Sequence, residues 1–179
     1  KHLAYNLDSP DDLSTQLSNR TPEITIPVYS LDTSVFFERN SNLMTGHTQT
    51  FEPRLFYLKS TYRDQSSLPD FDTKELTPSY EKLFRDSRFI GGDRISDDKR
   101  LTVGFTTRFI DQATGEERFR ASIAQSMYYT ERLVTLAAAL TAKELSDMGR
   151  DKSLIAIELA GRINKKWRFS GDLVYDDFD

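Results

Sequence analysis

The sequence predicts an all-β protein built from antiparallel strands and hairpins. Apolar and polar side chains alternate with period two in most of the chain, which is the spacing of a half-buried strand rather than of a helix. Short polar turns that contain glycine or asparagine separate several of these segments. The longest uninterrupted apolar run, residues 136–140, is far shorter than the roughly 20 residues that a membrane-spanning helix needs.

The composition argues against several functional classes. The 179 residues include 24 Lys and Arg against 28 Asp and Glu, so the net charge of -4 gives no reason to expect a nucleic-acid partner. There are no cysteines, which removes disulfides, thiolate metal sites and cysteine nucleophiles from this chain. The sequence also lacks a phosphate-binding glycine loop, a metalloprotease histidine pair and a nucleophile elbow. We therefore expect neither an enzyme nor a bound cofactor or metal.

The first strands are predicted in the N-terminal third of the chain. Residues 23–29 form a short alternating run that Pro27 interrupts. Residues 33–39 and 48–58 flank the polar turn 40–47 and predict a hairpin. Pro53 has no N–H to donate, so it should weaken pairing if this strand is central.

A long polar segment, residues 59–100, follows. It far exceeds the usual loop length, which indicates a functional or separately folded segment rather than a passive connection. Thr77 could cap a short helix that begins at Pro78 and runs to about residue 86. Basic and acidic side chains alternate further along, which predicts internal salt bridges, with recognition of an anionic headgroup as the alternative.

Two more hairpins are predicted in the second half. Residues 101–110 and 117–129 alternate well and are joined by the turn 111–115. Residues 153–161 and 167–175 form a similar pair around the turn 162–166. Between these hairpins, leucines and alanines in residues 130–147 recur at helical spacing, and Gly149 could end such a helix.

Alternation alone leaves open what the apolar faces meet. A soluble β-sandwich, acting as a binding module for an acidic or carbohydrate ligand, would bury them in a core. A membrane β-barrel would expose them to lipid and would place aromatic side chains at the strand ends, where several tyrosines and Trp167 occur.

Four stretches resemble one known family. They are FEPRLFYL from Phe51, TYRDQSSLPDFD from Thr61, YEKLFRDSRFIGGDRISDDKRLTVGFTTRF from Tyr80, and FRASIAQSMYY from Phe119. Together they are similar to the barrel domain of the LptD family of LPS-assembly proteins, also called organic solvent tolerance proteins. The resemblance extends over roughly residues 21–175.

The resemblance implies that residues 1–179 are the middle part of a single transmembrane β-barrel domain of about 26 strands. The chain begins at Lys1 without Met or a signal sequence, so it is expected to be an excised piece. The implied location is the outer membrane of a Gram-negative bacterium, and the implied role is a non-enzymatic conduit that inserts lipopolysaccharide into the outer leaflet. The implied partners are lipopolysaccharide, outer-membrane lipid, an LptE-like plug lipoprotein and an LptA-like periplasmic bridge that binds outside this chain.

The resemblance also refines the local predictions. Residues 59–100 should form an extracellular loop that folds over or into the lumen, and the short turns should face the periplasm. Residues 131–136 should continue a strand and 141–152 should be loop, with a short helix left open. Six side chains are the candidate ligand contacts. They are the polar-face residues Arg54, Arg108 and Arg120, expected to contact the headgroup or plug, and the loop residues Arg88, Asp93 and Arg94, expected to be mainly structural.

Overall fold

The computed structural model describes residues 1–6, 21–136 and 142–177. The predicted all-β antiparallel class is confirmed. The strands are β1 (His2–Ala4), β2 (Glu23–Thr25), β3 (Val28–Ser34), β4 (Phe37–Asn40), β5 (His47–Ser60), β6 (Lys74–Glu75), β7 (Phe89–Ile90), β8 (Lys99–Asp111), β9 (Glu117–Tyr128), β10 (Ile155–Arg162) and β11 (Arg168–Tyr175). One α-helix, α1 (Ala142–Gly149), and one 3-10 helix, Glu81–Phe84, complete the described elements.

One antiparallel sheet dominates the molecule, with strand order β11-β10-β9-β8-β5-β3 and with β4 also paired to β5. All three predicted hairpins are present in it. The turns that close them all lie at the same end of the strands, where the amide of Gln112 donates to the carbonyl of Gly46 over 3.0 Å. In the described part of the chain β3 and β11 do not pair with each other, so the sheet is open.

The two prolines interrupt pairing where the sequence suggested that they would. The run 23–29 divides at Pro27 into β2, which pairs with β1, and β3, which pairs with β5. Pro53 lies in a central strand after all, between β3 or β4 on one side and β8 on the other. The gap between β3 and β4 lies beside it, where the amide of Val35 donates to the Pro53 carbonyl over 3.1 Å.

The sheet has two chemically different faces. Its polar face carries the even-numbered residues of the strands, such as Thr102, Thr106 and Ser122, which are buried. Its apolar face carries the odd-numbered residues, and its side chains are open: Phe105 is 41% exposed and Ile123 is 44% exposed. The burial is therefore inverted with respect to a soluble sheet, whose apolar face is covered.

The long segment between β5 and β8 covers the polar face. The 3-10 helix buries Leu83 and Phe84 against a core that includes Phe56, Leu58 and Ala124. The short helix expected in this segment is present as a single 3-10 turn, which starts at Glu81 rather than at Pro78. Thr77 does not cap it, since its N-cap is Tyr80 and no side chain bonds to the helix terminus. A single turn suffices because the two apolar side chains are held by the sheet rather than by a longer helix.

Gly104 lets the segment approach the sheet closely. A Cβ atom at this position would lie 2.6 Å from Cζ of Phe84 and 3.2 Å from Cε2 of Tyr80. Gly104→Ala is therefore expected to displace the 3-10 helix at a cost of about 1–3 kcal/mol, as overpacking does in other cores. Faster proteolytic cleavage around residues 77–87 would report this displacement.

Gly171→Ala is the matched control, because nothing lies within 4 Å of a Cβ placed on this β11 glycine. The same cleavage rate in both variants would contradict the close packing of the long segment on Gly104.

The connection between β9 and β10 differs from the prediction. Residues 131–136 are not a strand, because the amides of Leu133 and Val134 bond to the Asp97 carboxylate, at 2.6 and 3.3 Å, instead of to a neighbouring strand. The stretch expected to be loop contains helix α1, which ends at Gly149 as its sequence suggested. Residues 137–141 of the predicted helix lie outside the described residues. No helix in the described part of the chain is long and apolar enough to cross a membrane.

Candidate functional site

A cavity of about 420 Å3 lies on the polar face, and we call it the charged cleft. Three of the residues singled out from the sequence, Arg54, Arg108 and Arg120, line it together. The strand register brings them together, because Arg108 pairs directly with Arg120 and Arg54 pairs with Gly104, four residues before Arg108 on β8. Side chains four residues apart on a strand point to the same face.

Each of these arginines is held by carboxylates. Arg54 donates from Nε and Nη2 to the two oxygens of Asp32, at 2.9 and 2.5 Å. Arg108 donates from Nε to Glu52 over 3.0 Å and from Nη1 to Glu117 over 2.9 Å. The third guanidinium pairs with a carboxylate of the next strand: Nη2 of Arg120 donates to Glu158 over 2.7 Å.

The charged cleft is close to neutral. Its lining sets three arginines against four carboxylates, those of Asp32, Glu52, Glu81 and Glu158. Hydroxyl groups lie between them, since Oγ1 of Thr106 is hydrogen-bonded to the hydroxyls of Tyr80 and Ser122, both over 3.0 Å, and can donate to only one of them. Donors and acceptors of both signs in one wet groove suit hydrogen bonding to sugars or to another polar surface better than capture of a lone anion.

The sequence reasoning did not single out Asp32 and Tyr80. The alternation of residues 28–34 carries a signal for Asp32, since it lies on the same face as Ser30 and Ser34. Its partner Arg54 could not be identified without the β3–β5 register. Tyr80 reaches the charged cleft only because the long segment folds back over the sheet, which no local pattern encodes.

Arg88 lies away from the charged cleft, in a buried ionic cluster. Its Nη1 donates to Asp97 over 3.1 Å and to Asp98 over 3.3 Å, and its Nη2 donates to the carbonyl of Val134. Nη1 of Arg100 donates to the other oxygen of Asp98 over 3.0 Å. The cluster joins the long segment to residues 131–136, so the predicted salt bridges are present here.

Asp93 and Arg94 organise the long segment itself. Asp93 accepts hydrogen bonds from the amides of Phe71 and Asp72, at 2.8 and 3.1 Å, and from the Tyr5 hydroxyl over 2.9 Å. Arg94 donates to backbone carbonyls, including that of Pro69 over 2.8 Å. Burial raises the pKa of Asp93, but these donors outweigh it and hold the pKa below its usual range.

Acid should weaken the contact between Asp93 and its donors. A carboxyl with a lowered folded-state pKa contributes stability above its unfolded pKa, about 3.9, and loses it as pH falls through the folded value. We expect the protection of the Phe71 and Asp72 amides from hydrogen exchange to fall between pH 4 and pH 2, after correction for the intrinsic rate at each pH. Asp93→Asn should abolish this pH dependence. A wild-type profile that stays flat to pH 2 would contradict the role of the carboxylate.

In the described ranges no group of three or more His, Asp or Glu side chains is placed to hold a metal ion. In the charged cleft the Thr106 hydroxyl bonds to that of Ser122, and the carboxylates of Glu52 and Glu158 bond to Arg108 and Arg120.

Comparison with known proteins decides the family. The model for LptD, described as LPS transport system D, matches residues 2–178. The chain belongs to the LptD family.

Individual LptD proteins agree with this assignment. The LPS-assembly protein LptD of Alcanivorax borkumensis is 47% identical over 140 residues, which is 78% of this chain and 18% of that protein. The LptD of Hahella chejuensis is 44% identical over 153 residues, 85% of this chain and 18% of that protein. The LptD of Xanthomonas euvesicatoria is 38% identical over 173 residues, 93% of this chain and 21% of that protein. The chain thus spans about a fifth of the length of the curated LptD proteins that it matches.

Proposed function

We propose that residues 1–179 form one section of a single outer-membrane β-barrel domain, within a larger protein that passes lipopolysaccharide to the outer leaflet. The observation that carries the proposal is the inverted burial of the main sheet. Its apolar face is open while its small and polar side chains are covered. A membrane barrel needs this arrangement, because its outer surface meets lipid and its lumen is polar.

The dimensions of the apolar face suit a bilayer. Along β8 the face runs from Leu101 to Phe109, eight residue steps. At about 3.4 Å per residue this is about 27 Å, and a strand tilt of about 40° reduces it to a height of about 21 Å. The outward apolar band of outer-membrane barrels is about 25 Å tall. Tyr29, Tyr129 and Trp167 lie at the two ends of the strands, where aromatic girdles occur.

The connections support an orientation. The connections at one end of the strands are short: residues 41–46, 112–116 and 163–167. The connections at the other end are long. Outer-membrane barrels have short periplasmic turns and longer extracellular loops. In this orientation residues 59–100 are an extracellular loop that folds into the lumen and packs on its polar wall.

The polar face then lines the route of the headgroup. Arg54, Arg108 and Arg120, each held by a carboxylate, offer donors and acceptors to sugar hydroxyls or to an LptE-like plug lipoprotein. Arg88, Asp93 and Arg94 act mainly by holding the loop in place. The chain acts by geometry rather than by covalent chemistry, and an LptA-like periplasmic bridge would deliver lipopolysaccharide through parts of the protein outside this chain.

A soluble β-sandwich is less favoured by the same observation. A sandwich requires a second sheet packed on the apolar face. Among the described residues the other strands form only two-stranded pairs, β1-β2 and β6-β7, and Phe105, Ile123 and Leu173 remain open.

Complementation tests the transport function. The full-length protein that contains this chain would be supplied to a Gram-negative strain depleted of its own LptD. We expect newly made lipopolysaccharide to reach the outer leaflet again, measured by its accessibility to an enzyme added outside the cells. Full expression in the outer membrane with no return of lipopolysaccharide to the surface would contradict the proposal.

A further inference from the structure

A second cavity, of about 460 Å3, lies among the extracellular connections, and we call it the loop cavity. It is enclosed by the long segment, the ends of β8 and β9, residues 132–136 and the end of helix α1. It shares no lining residue with the charged cleft. The loop cavity is therefore a separate site, and it lies at the end of the strands opposite to the short turns.

The side chains that line the loop cavity are mainly basic, although two of them, Arg88 and Arg100, are paired with the carboxylates of Asp97 and Asp98 outside the lining. The lining has twice as many basic as acidic side chains, whereas acidic residues outnumber basic ones in the charged cleft. The basic residues are Lys82, Arg88, Arg100, Arg132, Arg150 and Lys152, and the acidic ones are Glu75, Asp147 and Asp176. An excess of cations around one concave site raises the local concentration of anions.

Several of these cations keep donors without a partner. Lys82 and Lys152 form no ion pair with any described residue. Nε of Arg100 and Nη1 of Arg132 are buried and have no hydrogen-bond partner among the described groups. A buried N–H without an acceptor is costly, so the two buried guanidinium donors favour an anion or another acceptor within the cavity. The half-buried Lys82 and the exposed Lys152 add to the same lining two cations without a carboxylate partner among the described residues.

The two guanidiniums are held rigidly in place by their other contacts. Arg100 is only 3% exposed, and its Nη groups donate to Asp98 and to the carbonyl of Arg85. Arg132 stacks with its Cζ 3.9 Å from the ring centroid of Tyr128 and donates to the carbonyl of Asp147. Fixed, planar donors of this kind suit a phosphoryl group, because little side-chain entropy is lost when it binds.

The remaining lining is apolar. It includes Leu76, Pro78, Leu83, Val134, Met148 and Leu154. A free inorganic ion gains nothing from such a wall, since apolar surface stabilises only ligands with apolar surface of their own. The occupant that matches both halves of the lining has an anionic group attached to an apolar body.

We propose that the loop cavity binds a phosphoryl group of a phosphorylated amphiphile. The inference rests on the proposed function, which makes lipopolysaccharide the amphiphile at hand, and it assigns the phosphate to Lys82, Lys152, Arg100 and Arg132. The apolar wall takes the part of the molecule next to the phosphate. The loop cavity thereby holds the lipopolysaccharide headgroup near the outer surface.

Binding of native and phosphatase-treated lipopolysaccharide tests the assignment, with the full-length protein immobilised in detergent. We expect removal of phosphate to weaken wild-type binding at least about tenfold, the loss typical of one or two charge-assisted hydrogen bonds. A double variant, Lys82→Ala with Lys152→Ala, should weaken binding of the native form and discriminate less between the two forms than wild type does, because only Arg100 and Arg132 remain to bind the phosphate. Lys82→Arg with Lys152→Arg should restore discrimination.

Lys165→Ala with Lys166→Ala is the matched control. This variant removes the same charge from an exposed turn at the other end of the strands and should behave as wild type. Equal binding of the two forms by wild type, or discrimination as strong as that of wild type in the Lys82 and Lys152 alanine variant, would overturn the phosphate site alone. Displacement of native lipopolysaccharide by equimolar inorganic phosphate would overturn the role of the apolar wall. Failure of wild type to bind either form would contradict the proposed function as well.

Discussion

Asp98→Ala is expected to reduce the free energy that holds the long segment in its folded position by about 3–5 kcal/mol, the cost of breaking a buried ion pair. The Asp98 side chain is completely buried and accepts from Arg88 and Arg100. Arg88 retains Asp97, but Arg100 has no second carboxylate among the described residues. The variant therefore leaves a guanidinium that is 3% exposed without a counter-charge. Hydrogen exchange of amides in residues 85–100 would measure the opening free energy.

Asp86→Ala is the control, because Asp86 pairs with Lys1 over 3.0 Å where both side chains reach solvent. An exposed pair contributes about 0–1 kcal/mol, so this variant should change little. Asp98→Leu combined with Arg100→Met should recover most of the loss, since an apolar pair of similar volume often replaces a buried ion pair at no cost. Equal effects of Asp98→Ala and Asp86→Ala would show that the cluster does not hold the segment.

The strands were predictable because their pattern is local. Alternation with period two fixes which side chains share a face, and it placed Phe51, Leu55 and Tyr57 opposite Glu52 and Arg54 as observed. Turn residues then fixed the hairpins. Gly46 and Gly115 have φ of 74° and 70°, a backbone conformation that glycine adopts at no steric cost.

The connections were less predictable because distant groups determine them. Residues 131–136 directly follow a strand, but the carboxylate of Asp97, more than 30 residues earlier, accepts hydrogen bonds from two of their amides. The 3-10 helix depends on Gly104 and on the core beneath it rather than on Thr77. Local propensity is a weak prior wherever a partner from elsewhere in the chain can satisfy the backbone.

The same distinction applies to the sites. Arg54, Arg108 and Arg120 could be selected because each lies on a polar strand face. The pairing of Arg54 with Asp32 and the shared cleft depended on register. The loop cavity gave no sequence signal. Lys82 and Lys152 are 70 positions apart and look like ordinary solvated lysines until the long segment and the end of α1 bring them around one space.

Ile123→Arg is expected to destabilise the protein in the membrane by about 2–4 kcal/mol, the cost of a basic side chain on the lipid face near the bilayer midplane. Ile123 lies in the middle of the apolar face, paired with Phe105 on one side and Ile157 on the other. The fraction of the full-length protein that is folded in outer membranes, measured by heat-modifiable electrophoretic mobility, should fall severalfold.

Tyr129→Arg separates a lipid-facing surface from a water-facing one. Tyr129 is 54% exposed against 44% for Ile123, and it directly follows the end of β9, six residues after Ile123. If the face met water, both substitutions would be nearly neutral, because exposed positions tolerate arginine. If it meets lipid, the cost should fall from the midplane value to about 0–1 kcal/mol at the interface. A normal folded fraction for both variants would therefore contradict the membrane assignment, since only a bilayer makes the cost depend on depth when exposure is so similar.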